Sequence, residues 1–190
     1  MLDWSHSVPL KIAAQVMFNG GVIAYPTEGV WGLGCDPFNE SAVRRILALK
    51  GRSVDKGLIL IGACMNQFSF LLKDINPDKS HHLKKSWPGP VTWIIPHHQR
   101  VPNWVSGNHS GVAIRVSDHP LVQALCRYYG GPIISTSANP QSKPSAMTRL
   151  KVRCYFGRDP RLNFIAPGQT GKHQQASQIR DLETLELIRA

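Results

Sequence analysis

A hydrophobic strand runs into the stretch from Ala24 to Pro37, AYPTEGVWGLGCDP, and this stretch decides how the surrounding fold is interpreted. The apolar run before it, 22–25, is typical of a buried strand, and Pro26 ends that strand because proline has no backbone N–H to donate. Thr27, Glu28 and three glycines then follow without helical or strand periodicity. The stretch is therefore a phosphate loop, a tight turn or part of another kind of pocket.

The glycines of this stretch do not form a known phosphate-binding motif. The pattern G-x-x-x-x-G-K-[ST] is absent, and no lysine lies between Lys11 and Lys50. The run Gly32-Leu33-Gly34 is only a fragment of G-x-G-x-x-G. We therefore expect any phosphate site to be built from residues elsewhere in the chain.

The composition is that of a folded domain with a large excess of positive charge. The chain has 190 residues, of which 42% are hydrophobic and 18% charged, so we expect one domain over residues 1–190 with a sizeable core. The 22 lysines and arginines outnumber the 12 acidic residues and give a formal net charge of +10. Such an excess favours polyanionic ligands: nucleotides, nucleic acid or acidic membranes.

Targeting signals and metal motifs are not evident in the sequence. No apolar run approaches the length of a membrane span, and the N-terminal residues lack the features of a signal peptide, so no membrane partner is expected. The four cysteines are scattered without a C-x-x-C pair, which favours a cytoplasmic location and disfavours a zinc site. The histidine pairs 81–82 and 97–98 are interpreted as solvated surface, and no protein-held metal is predicted.

Strands alternate with helices along most of the chain. Helices are predicted over 9–18, from an Asn39 cap to Gly51, before Trp87, and from an Asp118 cap to Gly130. Strands are predicted over 22–25, 58–61, 91–95, 112–116 and 133–137, with a final hairpin that turns near Glu183. Since some strands directly follow others, we predict an α/β fold with a twisted mixed sheet and flanking helices.

Polar residues gather where apolar strands end. Thr27 and Glu28 follow the first strand, Arg115 lies near the end of another, and Ser135, Ser137 and Asn139 follow Ile134. Ligands of open α/β sheets bind beyond such ends, so converging ends would form a pocket. Turn chemistry is the alternative for each residue taken alone.

Two basic segments stand out. Lys50-Gly51-Arg52 complements the dipole of a helix C-terminus or clamps a phosphate, and we favour the clamp because acids are nearly absent nearby. The second segment spans 143–161 with only one acid. It is interpreted as a solvated helix face, as a lid over an anionic ligand or as a contact surface for RNA.

Six short motifs occur along nearly the whole chain in the order found in one family. They are Tyr25-Pro26-Thr27-Glu28 with Gly32-Leu33-Gly34, Lys50-x-Arg52, Trp87-Pro88-Gly89-Pro90-Val91-Thr92, Ala113-Ile114-Arg115-Val116, Ser135-Thr136-Ser137-Ala138-Asn139 and Ser177-x-Ile179-x-Asp181. Each is weak alone, but together they make the chain resemble the YrdC/TsaC family of threonylcarbamoyl-AMP synthases in its short form.

This resemblance implies an α/β fold around a large basic cavity and a nucleotidyltransferase activity. The family makes threonylcarbamoyl-AMP and pyrophosphate from L-threonine, bicarbonate and ATP, for the threonylcarbamoyl modification of adenosine 37 in tRNAs that read ANN codons. The implied partners are these substrates and a threonylcarbamoyl-transferase machinery that receives the product. The implied cofactor is Mg²⁺, bound mainly through the ATP phosphates.

The resemblance also implies roles for ten residues. Those at the triphosphate are Lys50 and Arg52, which are the predicted catalytic residues, and those lining the rest of the nucleotide site are Ser137, Asn139, Ser145 and Arg189. Those holding threonine are Thr27, Arg115, Ser135 and Ser177, with Arg115 paired to the carboxylate.

The alternative function is a non-catalytic module that binds tRNA or double-stranded RNA. The net charge, the basic segment 143–161 and the five tryptophans support it. An enzyme needs a deep pocket, whereas an RNA binder needs exposed aromatics on a basic face. Trp31, Trp87 and Trp93 lie in or beside apolar strands, so we expect them in the core.

Overall fold

The fold is a mixed β-sheet with helices packed on it. The computed structural model describes residues 4–171, 173 and 175–190. Its strands are β1 Ile23–Pro26, β2 Trp31–Gly34, β3 Ile59–Gly62, β4 Val91–Pro96, β5 Gly111–Val116, β6 Ile133–Ser137, β7 Phe164–Ile165, β8 Gln178–Asp181 and β9 Leu187–Arg189. Its helices are α1 Val8–Phe18, α2 Glu40–Lys50, α3 Ser69–Leu72, α4 Pro77–Ser86, α5 Asn103–Ser106, α6 Pro120–Tyr129 and α7 Arg149–Phe156, with 3₁₀ turns at Val54–Lys56 and Met65–Phe68.

The strands form one open sheet in the order β7-β1-β2-β6-β3-β5-β4-β8-β9. Three neighbouring pairs are parallel (β1 with β7, β3 with β5, β4 with β8), and the other five pairs are antiparallel. This arrangement confirms the predicted mixed α/β class. Among the described residues, no helix has both the length and the apolar character needed to cross a membrane.

Capping residues fix the ends of α2 as the sequence predicts. The Asn39 side chain accepts a bond from the Ala42 N–H at 3.0 Å, and Gly51 ends the helix with a left-handed φ of 62°. At α6 the predicted Asp118 cap is wrong, because His119 holds the cap position. The Asp118 N–H instead donates to the Glu28 carboxylate at 3.1 Å, which ties the residue to a different part of the fold.

Strand β2 was missed by the sequence interpretation because two of its four residues are glycines, which weaken strands intrinsically. It forms a hairpin with β1 and also pairs with β6. A side chain at Gly34 would place its Cβ 2.7 Å from the Ile134 carbonyl oxygen and from the Tyr25 ring. Packing against Tyr25 therefore requires glycine at position 34.

Side-chain alternation along the strands gives the sheet two different faces. One face belongs to the larger core cluster, which includes Trp31, Trp87 and Trp93, so the prediction that these tryptophans are buried is confirmed. On the other face, the helices α1 and α6 pack over residues such as Ile23, which form a second cluster. The rest of that second face is left for a cavity.

Candidate functional site

A cavity of about 890 Å³ lies over the part of the sheet face that α1 and α6 leave uncovered. Residues of the central strands line it, including Gly32, Ile59, Ala113, Arg115, Ser135 and Ser137. The remaining wall comes from the 106–110 segment, from residues 175–177 and from the hairpin of β8 and β9. Its size and its mixture of apolar and polar groups suit a small-molecule site.

The expectation that ligands bind beyond converging strand ends is wrong in its geometry. Strand β6 runs antiparallel to β3, whereas β5 runs parallel to it, so the ends of β5 and β6 point in opposite directions. Ser135 lies opposite Ile59, and Arg115 lies beside Ile61, two residues further along the same strand. Ser135 and Arg115 reach one cavity because they share a face of the sheet.

Eight of the ten predicted site residues line this one cavity, and two do not. Those that line it are Thr27, Arg52, Arg115, Ser135, Ser137, Ser145, Ser177 and Arg189. Lys50 and Asn139 lie just behind the wall: the Lys50 ammonium group contacts Ser137, and the Asn139 N–H donates to the Ser137 carbonyl oxygen. The structure thus brings together residues separated by up to 162 positions in the chain, from Thr27 to Arg189.

Arg115 is buried and is held by a buried carboxylate. Its guanidinium lies 3.2 Å from Glu28 Oε2, and the side chains of both residues are less than 10% exposed. The other oxygen, Glu28 Oε1, accepts bonds from the Ser117 hydroxyl at 2.7 Å and from the Asp118 N–H at 3.1 Å. Burial raises the pKa of Glu28, but Arg115 and these donors outweigh it, so the net pKa lies below the ordinary value.

Arg115 lines the cavity while its ion pair with Glu28 holds it in place. Its Nε is buried and has no hydrogen-bond partner in the described residues. A carboxylate that enters the cavity can take two parallel bonds from such a guanidinium. The groups that hold the Glu28 carboxylate come from Arg115, Ser117 and Asp118, far from it in the sequence.

Thr27 sits at the tip of the β1–β2 hairpin. Its hydroxyl donates to the Val30 carbonyl oxygen at 2.7 Å, so toward a ligand this oxygen is an acceptor. Gly171 lies against the hairpin, since its N–H donates to the Thr27 carbonyl oxygen at 2.9 Å. A Cβ at Gly29 would lie 1.8 Å from the Gln175 carbonyl oxygen, which explains why this turn contains a glycine.

Ser177 is fixed by a residue that the sequence interpretation did not assign. The fully buried Thr92 places its hydroxyl 2.8 Å from the Ser177 hydroxyl. The parallel pairing of β4 and β8 brings them together, and Arg189 donates to the Ser177 carbonyl oxygen at 2.8 Å. The signal in the sequence was Thr92 itself, a hydroxyl within the apolar run 91–95.

The cavity concentrates positive charge. Burial lowers the pKa of Arg52, and burial together with Arg115 and Arg52 lowers the pKa of Arg189. Both guanidinium groups remain charged at neutral pH, because arginine is not deprotonated in proteins. Among the described residues neither Arg52 nor Arg189 forms an ion pair, and such cations on a cavity wall favour a bound polyanion.

The Lys50 side chain is hydrogen-bonded to the C-terminal end of β6. Its ammonium group contacts the carbonyl oxygens of Ser137 and Asn139 and lies 3.3 Å from the Asn139 side-chain oxygen. Burial, and then the neighbouring Arg52, lower its pKa from 10.5 to about 8. The Asn139 amide is also engaged, since it donates to the Lys143 carbonyl oxygen at 2.7 Å. The ligand roles predicted for Lys50 and Asn139 stay predictions that require an exchange of partners.

The second basic segment does not reach the cavity. None of its six cations is among the described residues that line it: Lys143, Arg149, Lys151, Arg153, Arg158 and Arg161. Several lie on or beside α7 and are exposed, and Arg161 pairs with Asp159. The interpretation of this segment as a lid is therefore not supported, and a solvated helix face fits it better.

Two carboxylates on the cavity wall do not provide a metal site. Asp181 accepts bonds from the N–H groups of Glu183 and Thr184, and Glu183 pairs with Lys79. Within the described parts of the chain, no three histidine, cysteine, aspartate or glutamate side chains cluster as metal ligands. These residues do not fit a protein-held Mg²⁺, and its binding through ATP phosphates stays a prediction.

Comparison with known sequences places the chain among well-defined relatives. The Sua5/YciO/YrdC family profile, described as telomere recombination, matches residues 15–190. A threonylcarbamoyl-AMP synthase of Pseudomonas paraeruginosa is 55% identical over 179 residues, covering 94% of this chain and 95% of the relative. One from Cellvibrio japonicus is 47% identical and covers 100% of this chain and 99% of the relative.

Solved structures share the fold. P. abyssi Sua5, crystallised with L-threonine, superimposes with a TM-score of 0.84 at 33% identity, covering 92% of this chain. The chain spans only 51% of that longer protein. E. coli YciO gives a TM-score of 0.83 at 24% identity, covering 95% of this chain and 87% of YciO, a likeness that concerns the fold alone.

Proposed function

Because the chain belongs to the Sua5/YciO/YrdC family, we propose that it is a threonylcarbamoyl-AMP synthase. The observation that carries the proposal is one cavity lined by Arg115, by hydroxyls and by further cations. A relative of that name is 55% identical to this chain, and the two align over nearly their full lengths. The reaction converts L-threonine, bicarbonate and ATP into threonylcarbamoyl-AMP and pyrophosphate. These substrates carry the carboxylate and phosphates that such a cavity suits.

The threonine subsite is assigned to the Arg115 end of the cavity. The guanidinium, which Glu28 holds on the cavity wall, binds the α-carboxylate. The Thr27 oxygen can accept a bond from the amino group, since its own proton is committed to Val30. Ser135 and Ser177 add hydroxyls that can bond the amino acid, and Thr92 fixes one of them.

The nucleotide is assigned to the region of Arg52, Ser137, Ser145 and Arg189, with Lys50 and Asn139 behind the wall. Threonine's neutral amine combines with bicarbonate to give N-carboxythreonine and water. The carbamate oxygen then forms a bond to the α-phosphorus as the bond to the β-phosphate oxygen breaks, and pyrophosphate leaves. Two anions must meet in this step, so positioning and positive charge matter more than a strong base.

The wider biological role follows from the product. A mixed anhydride of this kind is labile, so we propose that it is passed to a transferase that modifies adenosine 37 of tRNAs that read ANN codons. We also propose a cytoplasmic location, which the four free thiols favour.

Binding of RNA without catalysis is the second candidate, and it rests on the exposed cations of α7. The burial of Trp31, Trp87 and Trp93 removes three of the five tryptophans as stacking platforms for such a module. Thermal stabilisation distinguishes the two candidates. Stabilisation by ATP with threonine favours the enzyme, and stabilisation by tRNA alone favours the binder.

The decisive test is incubation of the protein with labelled threonine, bicarbonate and ATP. We expect pyrophosphate and a labelled threonylcarbamoyl-adenylate in equal amounts, and neither without bicarbonate. If ATP is consumed equally without threonine, or if no adenylate forms, the proposed activity is wrong.

A further inference from the structure

The glycine at position 32 has no structural explanation of the kind that accounts for Gly34. Both lie in β2 and point to the same face, and neither has a left-handed φ. A Cβ at Gly34 would meet the Ile134 carbonyl oxygen and the Tyr25 ring at 2.7 Å, so packing excludes it. A Cβ at Gly32 would meet nothing closer than 3.5 Å, which is ordinary van der Waals contact.

Gly32 therefore leaves a space on the cavity wall that is large enough for a methyl group. The nearest atoms to that space are the Thr136 carbonyl oxygen and Tyr25 Cζ, both at 3.5 Å, and Thr27 Cγ2 at 3.6 Å. Two of the three are carbon atoms, so the space suits an apolar group. It opens into the cavity, because Gly32 and Thr27 both line it.

We propose that Gly32 determines specificity by leaving room for the methyl group of the substrate threonine. The inference rests on the proposed function, in which Thr27 contacts the amino acid. Bonding of the Thr27 hydroxyl to Val30 fixes the side chain so that its methyl group borders the space. Threonine fills this space with its methyl group, whereas serine leaves it empty.

The size of the effect follows from the chemistry of a single methyl group. One methyl group in an apolar pocket changes kcat/KM by about 10- to 200-fold. We therefore expect the wild-type protein to prefer threonine over serine within that range. Glycine also weakens a strand relative to alanine, so keeping it at position 32 fits a functional use.

The test is Gly32→Ala, which places a methyl group of the protein in the space. We expect kcat/KM for threonine, measured by pyrophosphate release, to fall by about tenfold or more, with serine retained within about threefold. Thr27→Ser keeps the hydroxyl but deletes the bordering methyl group, and should reduce the preference several-fold. If Gly32→Ala lowers the melting temperature, Thr27→Ser decides the question alone.

The control is Gly131→Ala, the same substitution outside the cavity wall, where a Cβ would lie 4.0 Å from its nearest neighbour. This variant should leave kcat/KM for threonine and for serine unchanged. The inference is overturned if Gly32→Ala keeps the wild-type ratio of kcat/KM for threonine to kcat/KM for serine. It is also overturned if kcat/KM falls equally for both amino acids, or if only the KM for ATP rises. Absence of turnover in the wild-type protein would instead refute the proposed function.

Discussion

Two groups of cations in this molecule have similar composition and different surroundings. Arg52, Arg115 and Arg189 line a cavity, where burial lowers the pKa of two of them and a carboxylate holds the third. The cations of 143–161 lie off the cavity, and the pKa of the partly exposed Arg161 is raised by its bond to Asp159. Charge in the sequence indicates a polyanionic partner, but only position distinguishes a binding site from a solvated face.

The largest expected difference between the two groups is in catalysis. Arg52→Ala should reduce pyrophosphate release by about 10²- to 10³-fold, or about 3–4 kcal/mol, because a half-buried cation on the cavity wall that faces developing negative charge stabilises the transition state. Initial rates measure it, and circular dichroism should show an intact fold. Near-normal turnover would refute the assignment of Arg52 to the triphosphate.

The next effect concerns the buried ion pair with Glu28, which distinguishes Arg115 from the arginines on the surface. Glu28→Gln leaves Arg115 charged without its partner, so the free energy of unfolding should fall by about 3 kcal/mol. The KM for threonine should rise more than the KM for ATP, since the guanidinium loses its orientation. Urea unfolding and steady-state kinetics measure the two effects, and an unchanged free energy of unfolding would show that the pair is not coupled to the fold.

A smaller effect on activity is expected when the pH rises through the pKa of Lys50. With its pKa near 8, Lys50 loses its charge above that pH, so kcat/KM for ATP should fall by up to tenfold per pH unit. Bound phosphates favour the charged form, so kcat should fall less. In Lys50→Arg the decline should move to higher pH, because arginine stays charged. A profile identical to that of the wild type would assign the decline to another group.

Substitutions on α7 and just beyond it are expected to have the smallest effect on catalysis. The double variant Arg153→Ala/Arg158→Ala removes two exposed charges, and pyrophosphate release should stay within about twofold, since exposed substitutions change stability by less than about 0.5 kcal/mol. A tenfold loss in this variant would erase the distinction between the two groups. Salt-dependent loss of tRNA binding with unchanged catalysis would instead assign these cations to RNA.

The sequence predicted helices and apolar strands well where local signals were strong. Asn39 and Gly51 marked both ends of α2, and apolar runs marked β3 and β5. It missed β2, because Trp31–Gly34 is a strand only by virtue of its neighbours β1 and β6. The displaced cap at Asp118 has a similar cause, since a distant carboxylate binds its N–H.

The stretch after Pro26 shows what the sequence determined by itself and what required the tertiary structure. Local chemistry alone excluded the known phosphate-loop motifs and left a tight turn or another kind of pocket, and the order of motifs indicated the family. Only the tertiary structure paired Glu28 with Arg115, fixed Ser177 through Thr92, and distinguished Gly34, required by packing, from Gly32, which faces the cavity. The physical reason is that these contacts join residues far apart in the chain, and strand pairing and side-chain alternation, which no local pattern encodes, bring them to one face of the sheet.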